Sequence, residues 1–239
     1  MSIIVITGTG TEIGKTVATS ALAALTSAAG RTVAVLKPAQ TGVATGEAGD
    51  ADEVVRLAGP AVTGAELARY PEPLAPDTAA RRAGLAPVRP ADVAEAARKL
   101  AEEHDLVLVE GAGGLLVRFD EEGGTLADAA QLLGAPVLVV VPAGLGTLNS
   151  TALTAEALRA RGIEQLGVVV GSWPDAPDLA ARCNLTDLPK AAGAPLLGAL
   201  PEGAGGLAPE AFRSAAPGWL APALGGTWDA AEFTATAGA

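Results

Sequence analysis

A lysine and a threonine follow a glycine-rich stretch near the start of the chain. Residues 8–16 read Gly-Thr-Gly-Thr-Glu-Ile-Gly-Lys-Thr, between the apolar run Ile3–Ile6 and an alanine-rich stretch. A glycine-rich loop between a strand and a helix turns backbone N–H groups inward around phosphates, and the helix N-terminus adds a positive dipole end. Lys15 would contact the β- and γ-phosphates, and the Thr16 hydroxyl would ligate Mg²⁺. The pattern predicts a phosphate-binding loop, or P-loop.

The spacing of this loop departs from the usual one. The first glycine normally stands five positions before the second, but that position is Thr9 here, and Gly8 lies one residue earlier. We therefore expect a variant loop with one extra residue. The alternative is a glycine-rich turn that binds nothing and leaves Lys15 as a surface charge. The order of strand, loop and helix argues against that alternative.

A second lysine follows the next apolar run. Residues 37–42 read Lys-Pro-Ala-Gln-Thr-Gly, directly after Thr32–Leu36. The carboxyl ends of strands form the ligand-binding edge of an open α/β sheet. A second lysine facing the phosphates there suits a reaction that builds negative charge on the attacking and leaving oxygens. Lys37 is therefore a candidate catalytic residue, although a single lysine is more often a solvated one.

Carboxylates stand at two comparable positions. Glu110 follows the run Leu106–Val109 and opens Glu-Gly-Ala-Gly-Gly, while Asp50 and Asp52 open a stretch that ends at Gly59. Carboxylate oxygens are typical Mg²⁺ ligands, and the glycines after Glu110 can present bare N–H groups to an anion. Either aspartate could complete the metal site, and either could instead be part of an acidic first turn of a helix.

Apolar runs alternate with alanine-rich stretches of helical period. Runs too continuous to have a solvent face predict strands covered on both sides, and their alternation with helices predicts a doubly wound, mainly parallel α/β sheet of the P-loop NTPase type. The runs are Ile3–Ile6, Thr32–Leu36, Leu106–Val109, Val137–Val141 and Leu166–Val170, with Leu196–Leu200 as a further candidate. The predicted helices are Thr16–Ala29, a short one from Asp50, Pro90–Glu103 and Asn149–Arg161.

The rest of the chain shows no domain boundary. Residues 1–239 are predicted to form one P-loop α/β domain, a usual size for such a fold. Tyr70–Pro76 contains three prolines and is expected to be a rigid connector rather than a helix. The residues after about position 225 are expected to include a frayed tail, most clearly Thr234–Ala239.

Composition excludes several classes of function. The net charge of −11 speaks against a nucleic-acid partner, and the apolar runs are too short to span a membrane. Cys183 is the only cysteine, so no intramolecular disulfide forms and the cytoplasm is the simplest location. His104 is the only histidine, which argues against a structural zinc site or a Ser-His-Asp hydrolase.

Four motifs in this order resemble dethiobiotin synthetases: residues 8–16, Lys37-Pro38 with Thr41-Gly42, residues 110–114, and Leu145-Gly146-Thr147-Leu148-Asn149. They span the chain up to about Trp173. The resemblance implies an ATP-dependent ligase of biotin biosynthesis. Its substrates would be 7,8-diaminononanoate, CO₂ and ATP with Mg²⁺, and its products dethiobiotin, ADP and phosphate.

The resemblance also implies roles for individual residues. Lys15, Lys37 and Thr11 would be catalytic, and Thr16, Asp50 and Glu110 would hold Mg²⁺. Asp50 is preferred to Asp52 because its spacing to Arg56 is more similar to the family pattern. Thr41 and Lys37 would bind substrate, together with Gly146, Thr147, Leu148 and Asn149. The nucleotide would be bound by Glu12, Ile13, Gly14, Lys15, Thr16, Val17, Glu110, Gly111, Ala112, Gly113, Gly171, Ser172, Pro201, Glu202 and Gly203.

Two expectations concern the substrate helix and the base. Asn149 would start a helix that receives the substrate carboxylate of the neighbouring subunit, which implies a homodimer with sites at the interface; its alternative role is a helix N-cap. Many relatives carry a base-reading asparagine where this chain has Gly171-Ser172-Trp173. Nucleoside triphosphates other than ATP are therefore expected to serve, and Trp173 fits either packing or base stacking.

Two other functions compete with this interpretation. Partition-type ATPases are nucleotide switches with the same loop, but they carry a signature lysine early in it, where this chain has Gly8, Thr9 and Gly10. Cobyrinate-type amidotransferases need a further domain with a nucleophilic cysteine, and Cys183-Asn184 lies in no such motif. Phosphate release that depends on the diamine would separate the three functions.

Overall fold

Seven parallel strands form the centre of the molecule. The computed structural model describes residues 2–237 of the 239-residue chain. Within them, one sheet has the strand order β3-β2-β4-β1-β5-β6-β7, and every neighbouring pair is parallel. This confirms the predicted doubly wound parallel sheet. The strands are β1 (Ser2–Gly8), β2 (Val33–Thr41), β3 (Val62–Tyr70), β4 (Leu106–Gly114), β5 (Val137–Val141), β6 (Gln165–Trp173) and β7 (Leu196–Pro201).

Helices cover both faces of the sheet, because alternate strand residues point to opposite sides. Val5 and Val107 belong to one buried apolar cluster with the helices between residues 76 and 192, whereas Ile6 and Leu108 belong to another with the helices at residues 15–28, 50–58 and 209–215. The longest helices have 14 residues, and among residues 2–237 none is long and apolar enough to cross a membrane. The helices are α1 (Lys15–Ala28), α2 (Asp50–Ala58), α3 (Pro76–Ala83), α4 (Pro90–Glu103), α5 (Leu126–Leu133), α6 (Thr147–Ala160), α7 (Leu179–Ala192), α8 (Pro209–Ala215) and α9 (Ala230–Ala237), with short 3₁₀ turns at Ala204–Gly206, Ala216–Trp219 and Pro222–Leu224.

The register of the central strands brings the predicted site residues to one level. Ile6 of β1 pairs with Glu110 of β4, and Leu36 of β2 pairs with Val109. Lys37 and Glu110 are therefore neighbours across β2 and β4, on the face covered by α1. Both lie inside their strands and not after them, because β2 continues to Thr41 and β4 to Gly114. That corrects the predicted strand ends without moving the residues from the carboxyl side of the sheet.

The sequence pattern missed the edge strand β3. Its residues include Gly64, Glu66 and Arg69, and only its two end residues, Val62 and Tyr70, are buried. A strand at the sheet edge has a neighbour on one side only and carries charged residues that discourage further pairing. It therefore lacks the continuous apolar run that marked the inner strands. The predicted connector is correct only between Pro71 and Ala75, because Tyr70 ends β3 and Pro76 begins α3.

The C-terminal segment is more ordered than its composition indicated. Residues 230–237 form α9, and Phe233 on this helix packs edge-on against Trp173, with ring centroids 5.3 Å apart. The prediction of a frayed end from Thr234 is wrong up to Ala237, and residues 238–239 lie outside the described part of the chain. Of the two roles considered for Trp173, the structure shows packing.

Candidate functional site

The P-loop connects the central strand β1 to α1. Residues 9–14 form the turn, with Glu12 and Gly14 in the left-handed region at φ 57° and 92°. Gly8 stays in β1, where a Cβ would lie 2.7 Å from Ile13 Cδ1. Lys15 is 7% exposed, and its Nζ donates to Gly10 O at 2.8 Å. The ammonium is thus held over the loop, where phosphate oxygens would replace or join the carbonyl.

The end of β6 supports this loop from the side. A Cβ on Gly171 would lie 2.0 Å from Ile13 O, and one on Gly14 would lie 2.1 Å from Gly171 O. These approaches are backbone against backbone, so no side chain could move aside. Only glycine fits at either position, and this contact fixes the P-loop against the sheet.

A buried ammonium lies between two carboxylates beside the loop. Lys37 Nζ is 3.0 Å from Glu110 Oε1 and 2.5 Å from Asp50 Oδ2, and it also donates to Gly111 O at 3.1 Å. The side chains of Lys37 and Glu110 are 4% and 1% exposed, whereas that of Asp50 is 37% exposed. Thr16 Oγ1 donates to the same Glu110 oxygen at 2.8 Å. Thr16, Lys37, Asp50 and Glu110, predicted from separate motifs, therefore form one cluster.

The two lysines of the cluster differ in electrostatic environment. Burial alone would lower the pKa of Lys37, but the charges and hydrogen bonds of Glu110 and Asp50 outweigh it and raise that pKa above the ordinary value. Burial lowers the pKa of Lys15, and the positive charge of Lys37 lowers it further, with only partial opposition from the carboxylates. The charge of Lys37 is therefore neutralised within the protein by Glu110 and Asp50. The charge of Lys15 is not fully neutralised, so an anionic ligand would stabilise it.

Asp50, and not Asp52, reaches the cluster. Asp52 Oδ2 accepts from Gly49 N at 2.8 Å and so belongs to the start of α2. Asp50 N donates to Gln40 Oε1 at 2.8 Å, so a buried side chain from β2 caps the helix where glycine has no side chain to do so. A Cβ on Gly49 would lie 2.5 Å from Glu66 Oε1, so a larger residue at position 49 would clash with that carboxylate.

Sequence reasoning missed Gln40 and Thr19. Gln40 lies within the quoted motif of residues 37–42, but the burial of its side chain on β2 is seen only in the structure. Thr19 stands one turn after Lys15 on α1, and its Oγ1 donates to Glu110 Oε2 at 2.6 Å. The helical spacing from Thr16 to Thr19 places both hydroxyls on one face, which was visible in the sequence.

A cavity of about 750 Å³ opens over this cluster. It extends from the P-loop to the segment that precedes α3, so it has room for a triphosphate and a further substrate. Gly111 contributes through its carbonyl group, as described. The predicted residues that line the cavity are Thr11, Glu12, Ile13, Gly14, Lys15, Thr16, Val17, Lys37, Thr41, Asp50, Glu110, Ala112 and Gly113.

A second cavity lies at the amino ends of the strands, on the side of the sheet away from the P-loop. It has a volume of about 590 Å³ and is lined by residues such as Ile3, Leu166, Leu197 and Leu224, with no charged side chain. Phosphate binding requires positive charge or converging N–H groups. This cavity therefore does not compete with the first as a nucleotide site.

The predicted base-binding residues lie beside the P-loop but outside the first cavity. Trp173 of β6 pairs with Pro201 of β7, and Glu202 N donates to Trp173 O at 2.7 Å. Ser172, Glu202 and Gly203 are exposed there. Arg56 of α2 donates to Gly205 O at 2.7 Å, which connects the helix of Asp50 to the segment after β7.

The predicted substrate helix begins two residues earlier than expected. α6 starts at Thr147, with Gly146 as its N-cap at φ 94°. Asn149 is therefore the third helical residue and not an N-cap, which corrects that alternative. Gly146 and Asn149 are exposed, Thr147 is buried and Leu148 is partly buried; none of the four lines the cavity over the P-loop.

The fold and the site define a P-loop nucleotide-binding α/β protein, and the family model of the AAA domain matches residues 2–205. Relatives named ATP-dependent dethiobiotin synthetase BioD are 73% identical in Streptomyces coelicolor and 74% identical in Streptomyces avermitilis, each over 98% of both chains. The chain belongs to the dethiobiotin synthetase family. The resemblance seen in the sequence is confirmed.

Solved structures show the same fold at low identity. A ParA family ATPase from Chlorobium tepidum is 15% identical with a TM-score of 0.56, over 89% of this chain and 90% of that one. A chain of the MinC:MinD cell division complex from Aquifex aeolicus is 13% identical with a TM-score of 0.54, over 90% and 86%. This likeness concerns the fold alone, so the partition-type alternative gains no functional support from it.

Proposed function

We propose that this protein uses ATP to convert 7,8-diaminononanoate and CO₂ into dethiobiotin, with release of ADP and phosphate. Membership of the family supports the reaction. The observation that carries the chemistry is the cluster of Lys15 and Lys37 with two carboxylates beside the P-loop. Two buried cations next to a triphosphate suit phosphoryl transfer, in which negative charge develops on the transferred group.

The reaction proceeds in three steps that need no covalent enzyme intermediate. One amine nitrogen of the diamine adds to CO₂ and gives a carbamate. A carbamate oxygen takes the γ-phosphoryl group of ATP, which forms a carbamoyl phosphate and leaves ADP. The second amine attacks the carbonyl carbon, expels phosphate and closes the ureido ring. The protons of the two amines pass to solvent.

The lysines and threonines act at the phosphoryl group. Lys15 would neutralise the β- and γ-oxygens, since its uncompensated charge faces the loop. Lys37, fixed by Glu110 and Asp50, would face the carbamate oxygen and the transferred group. Thr11 and Thr41 line the same cavity and would donate to carbamate or phosphate oxygens. The cavity would hold the reactants in place for these steps.

The donors at this site suit Mg²⁺. Glu110 Oε1 and Asp50 Oδ2 both contact the Lys37 ammonium, and Thr16 Oγ1 donates to the same Glu110 oxygen, so the three predicted oxygen ligands lie close together. No group of three or more His, Cys, Asp or Glu side chains that could hold a metal ion occurs among residues 2–237. Mg²⁺ commonly binds through one or two carboxylates with water and phosphate oxygens completing its shell. When bound, it would neutralise charge on the β- and γ-phosphates.

Phosphate release that depends on the diamine tests this function. We expect the protein to release phosphate from Mg-ATP only when diamine and bicarbonate are both present. Lys15→Gln should fold normally and lose about 10² to 10³ in rate, the usual cost of one lost transition-state contact. A nucleotide switch would release phosphate at the same rate without the diamine, and that result would exclude the synthetase.

A homodimer would bring the start of α6 to the neighbouring site. Gly146 and Asn149 are exposed and lie away from their own chain's cavity, and Leu145 beside them is 93% exposed. An exposed helix N-terminus can bind a carboxylate. We infer that Asn149 serves the substrate in the partner's site, and that the reaction takes place in the cytoplasm, where the free thiol of Cys183 is stable.

Mixed dimers test this arrangement. Lys37→Gln and Asn149→Ala should each be nearly inactive, but a mixed dimer has one site with both residues intact. Random exchange makes about half of the dimers mixed, so the ceiling is about a quarter of wild-type activity. Exchange is first confirmed with tagged chains. Mixed dimers with no recovery above the parent variants would show that Asn149 acts within its own subunit or not at all.

A further inference from the structure

The carboxylate of Glu110 is held at both oxygens by one turn of α1. Thr16 Oγ1 donates to Oε1 at 2.8 Å, and Thr19 Oγ1 donates to Oε2 at 2.6 Å. Thr19 is fully buried and Glu110 is 1% exposed. The second distance is in the range of a charge-assisted O–H···O⁻ bond, which is among the stronger hydrogen bonds in proteins.

Thr19 has a second acceptor that most helical threonines use. Its Oγ1 lies 3.0 Å from Lys15 O, one turn earlier in α1. A hydroxyl has one proton to donate, and the shorter contact to a charged oxygen takes it. The hydroxyl therefore serves the carboxylate and not the helix backbone.

The two carboxylate oxygens of Glu110 have different surroundings. Oε2 is occupied by Thr19 inside the protein, while Oε1 is the oxygen shared by Thr16 and Lys37 beside the cavity. Without Thr19, Oε2 would be a buried acceptor with no partner and the carboxylate could rotate about its last bond. Such rotation would move Oε1 away from the other oxygen donors.

We propose that Thr19 is a positioning residue that fixes the Glu110 carboxylate so that Oε1 is presented to the metal of Mg-nucleotide. This rests on the proposed function, in which Glu110 is a metal ligand. Hydrogen-bond partners of ligating carboxylates typically contribute about 10- to 100-fold to metal affinity or activity. Thr19 is fully buried and does not line the cavity over the P-loop, so we expect its hydroxyl to act on the site through the Glu110 carboxylate.

Three variants on the same helix test the assignment. Thr19→Val keeps the shape and removes the hydroxyl, whereas Thr19→Ser keeps the hydroxyl. Thr26→Val is the matched control, because Thr26 is also buried on α1 and donates to the carbonyl one turn back, Leu22 O, at 2.8 Å. The affinity for Mg²⁺ is measured by titration calorimetry of the ADP complex, and the affinity for ADP is measured in chelator without metal.

We expect Thr19→Val to bind Mg²⁺ about 10- to 100-fold more weakly, while Thr19→Ser and Thr26→Val bind it as the wild type does. The affinity for ADP without metal should be unchanged in all three. Thr19→Val with wild-type Mg²⁺ affinity, an equal loss of metal-free ADP affinity, or no rescue by serine would overturn the proposal. Glu110→Gln tests separately whether Glu110 binds the metal. If Glu110→Gln keeps wild-type Mg²⁺ affinity, Glu110 is not a metal ligand and the proposed function loses that part of its site.

Discussion

Replacing Lys37 with methionine is the sharpest test of the buried charge cluster. Methionine keeps an unbranched side chain and removes the charge between Glu110 and Asp50. At 3.0 Å, Coulomb's law with an effective dielectric constant of about 20 gives about 5.5 kcal/mol for the Lys37–Glu110 pair. Breaking a buried ion pair on one side typically costs about 3–5 kcal/mol, because the other charge stays buried and unpaired. Asp50 adds less, since water reaches its carboxylate.

The free energy of unfolding of Lys37→Met is measured by urea titration of the nucleotide-free protein at neutral pH. A loss of about 3–5 kcal/mol lowers the melting temperature by about 6–20 °C in a chain of this length. Lys190→Met is the control, because its partner Asp187 is on the same surface helix and both are exposed. That variant should lose no more than about 1 kcal/mol.

The direction of the pKa shift gives a pH dependence. Because the folded pKa of Lys37 is raised, its stabilising contribution is complete below the unfolded value of about 10.4 and is lost as the pH rises through the folded value. The deficit of Lys37→Met should therefore be constant from neutral pH to about pH 9. The double variant with Glu110→Gln removes the stranded charge and should recover part of the loss. If Lys37→Met costs as little as Lys190→Met, or if Glu110→Gln restores nothing, the cluster is not a coupled buried pair.

Lys15→Met should stabilise the nucleotide-free protein by about 1 kcal/mol at neutral pH, at the expense of activity. The pKa of Lys15 is lowered in the folded protein, so the gain in stability should be present below the folded pKa and vanish above about pH 10.4. Urea unfolding at several pH values measures this gain, and a gain that grows as the pH rises would contradict the reasoning. Gly171→Ala should lower the free energy of unfolding by about 1–3 kcal/mol and weaken ATP binding, because its Cβ would meet Ile13 O. Gly218→Ala has open space around its Cβ and should change neither. Equal ATP affinities of the two variants by calorimetry would contradict this. Initial rates with ATP, CTP and GTP should agree within about tenfold, or 1.4 kcal/mol, because no asparagine stands at Gly171 or Ser172; a thousandfold preference for ATP would show that another group reads the base.

The inner sheet and the P-loop followed from local sequence signals. β1 and β5 were predicted as strands because their apolar runs leave no solvent face. The P-loop was predicted because a glycine-rich stretch with Gly-Lys-Thr stands between a strand and a helix. α4 was predicted with its observed ends, Pro90 and Glu103, since a proline at the first turn marks a helix start. The motif around Lys15 predicted a phosphate-binding loop because its residues are contiguous in the chain, and the structure has this loop between β1 and α1.

Contacts between distant segments could be decided only by the tertiary structure. The family pattern already favoured Asp50 over Asp52, but its contact with Lys37 and its hydrogen bond to Gln40 on β2 are seen only in the structure. The role of Thr19 depends on Glu110, 91 residues away. β3 was not predicted because an edge strand lacks a continuous apolar pattern. α9 was not predicted because it packs through Phe233 on Trp173, which is distant in the sequence. The sequence by itself determined which residues are chemically equipped for phosphate and metal, since that depends on residue type and local spacing. Their orientation and charge balance came from the sheet register and from burial, which no local pattern encodes.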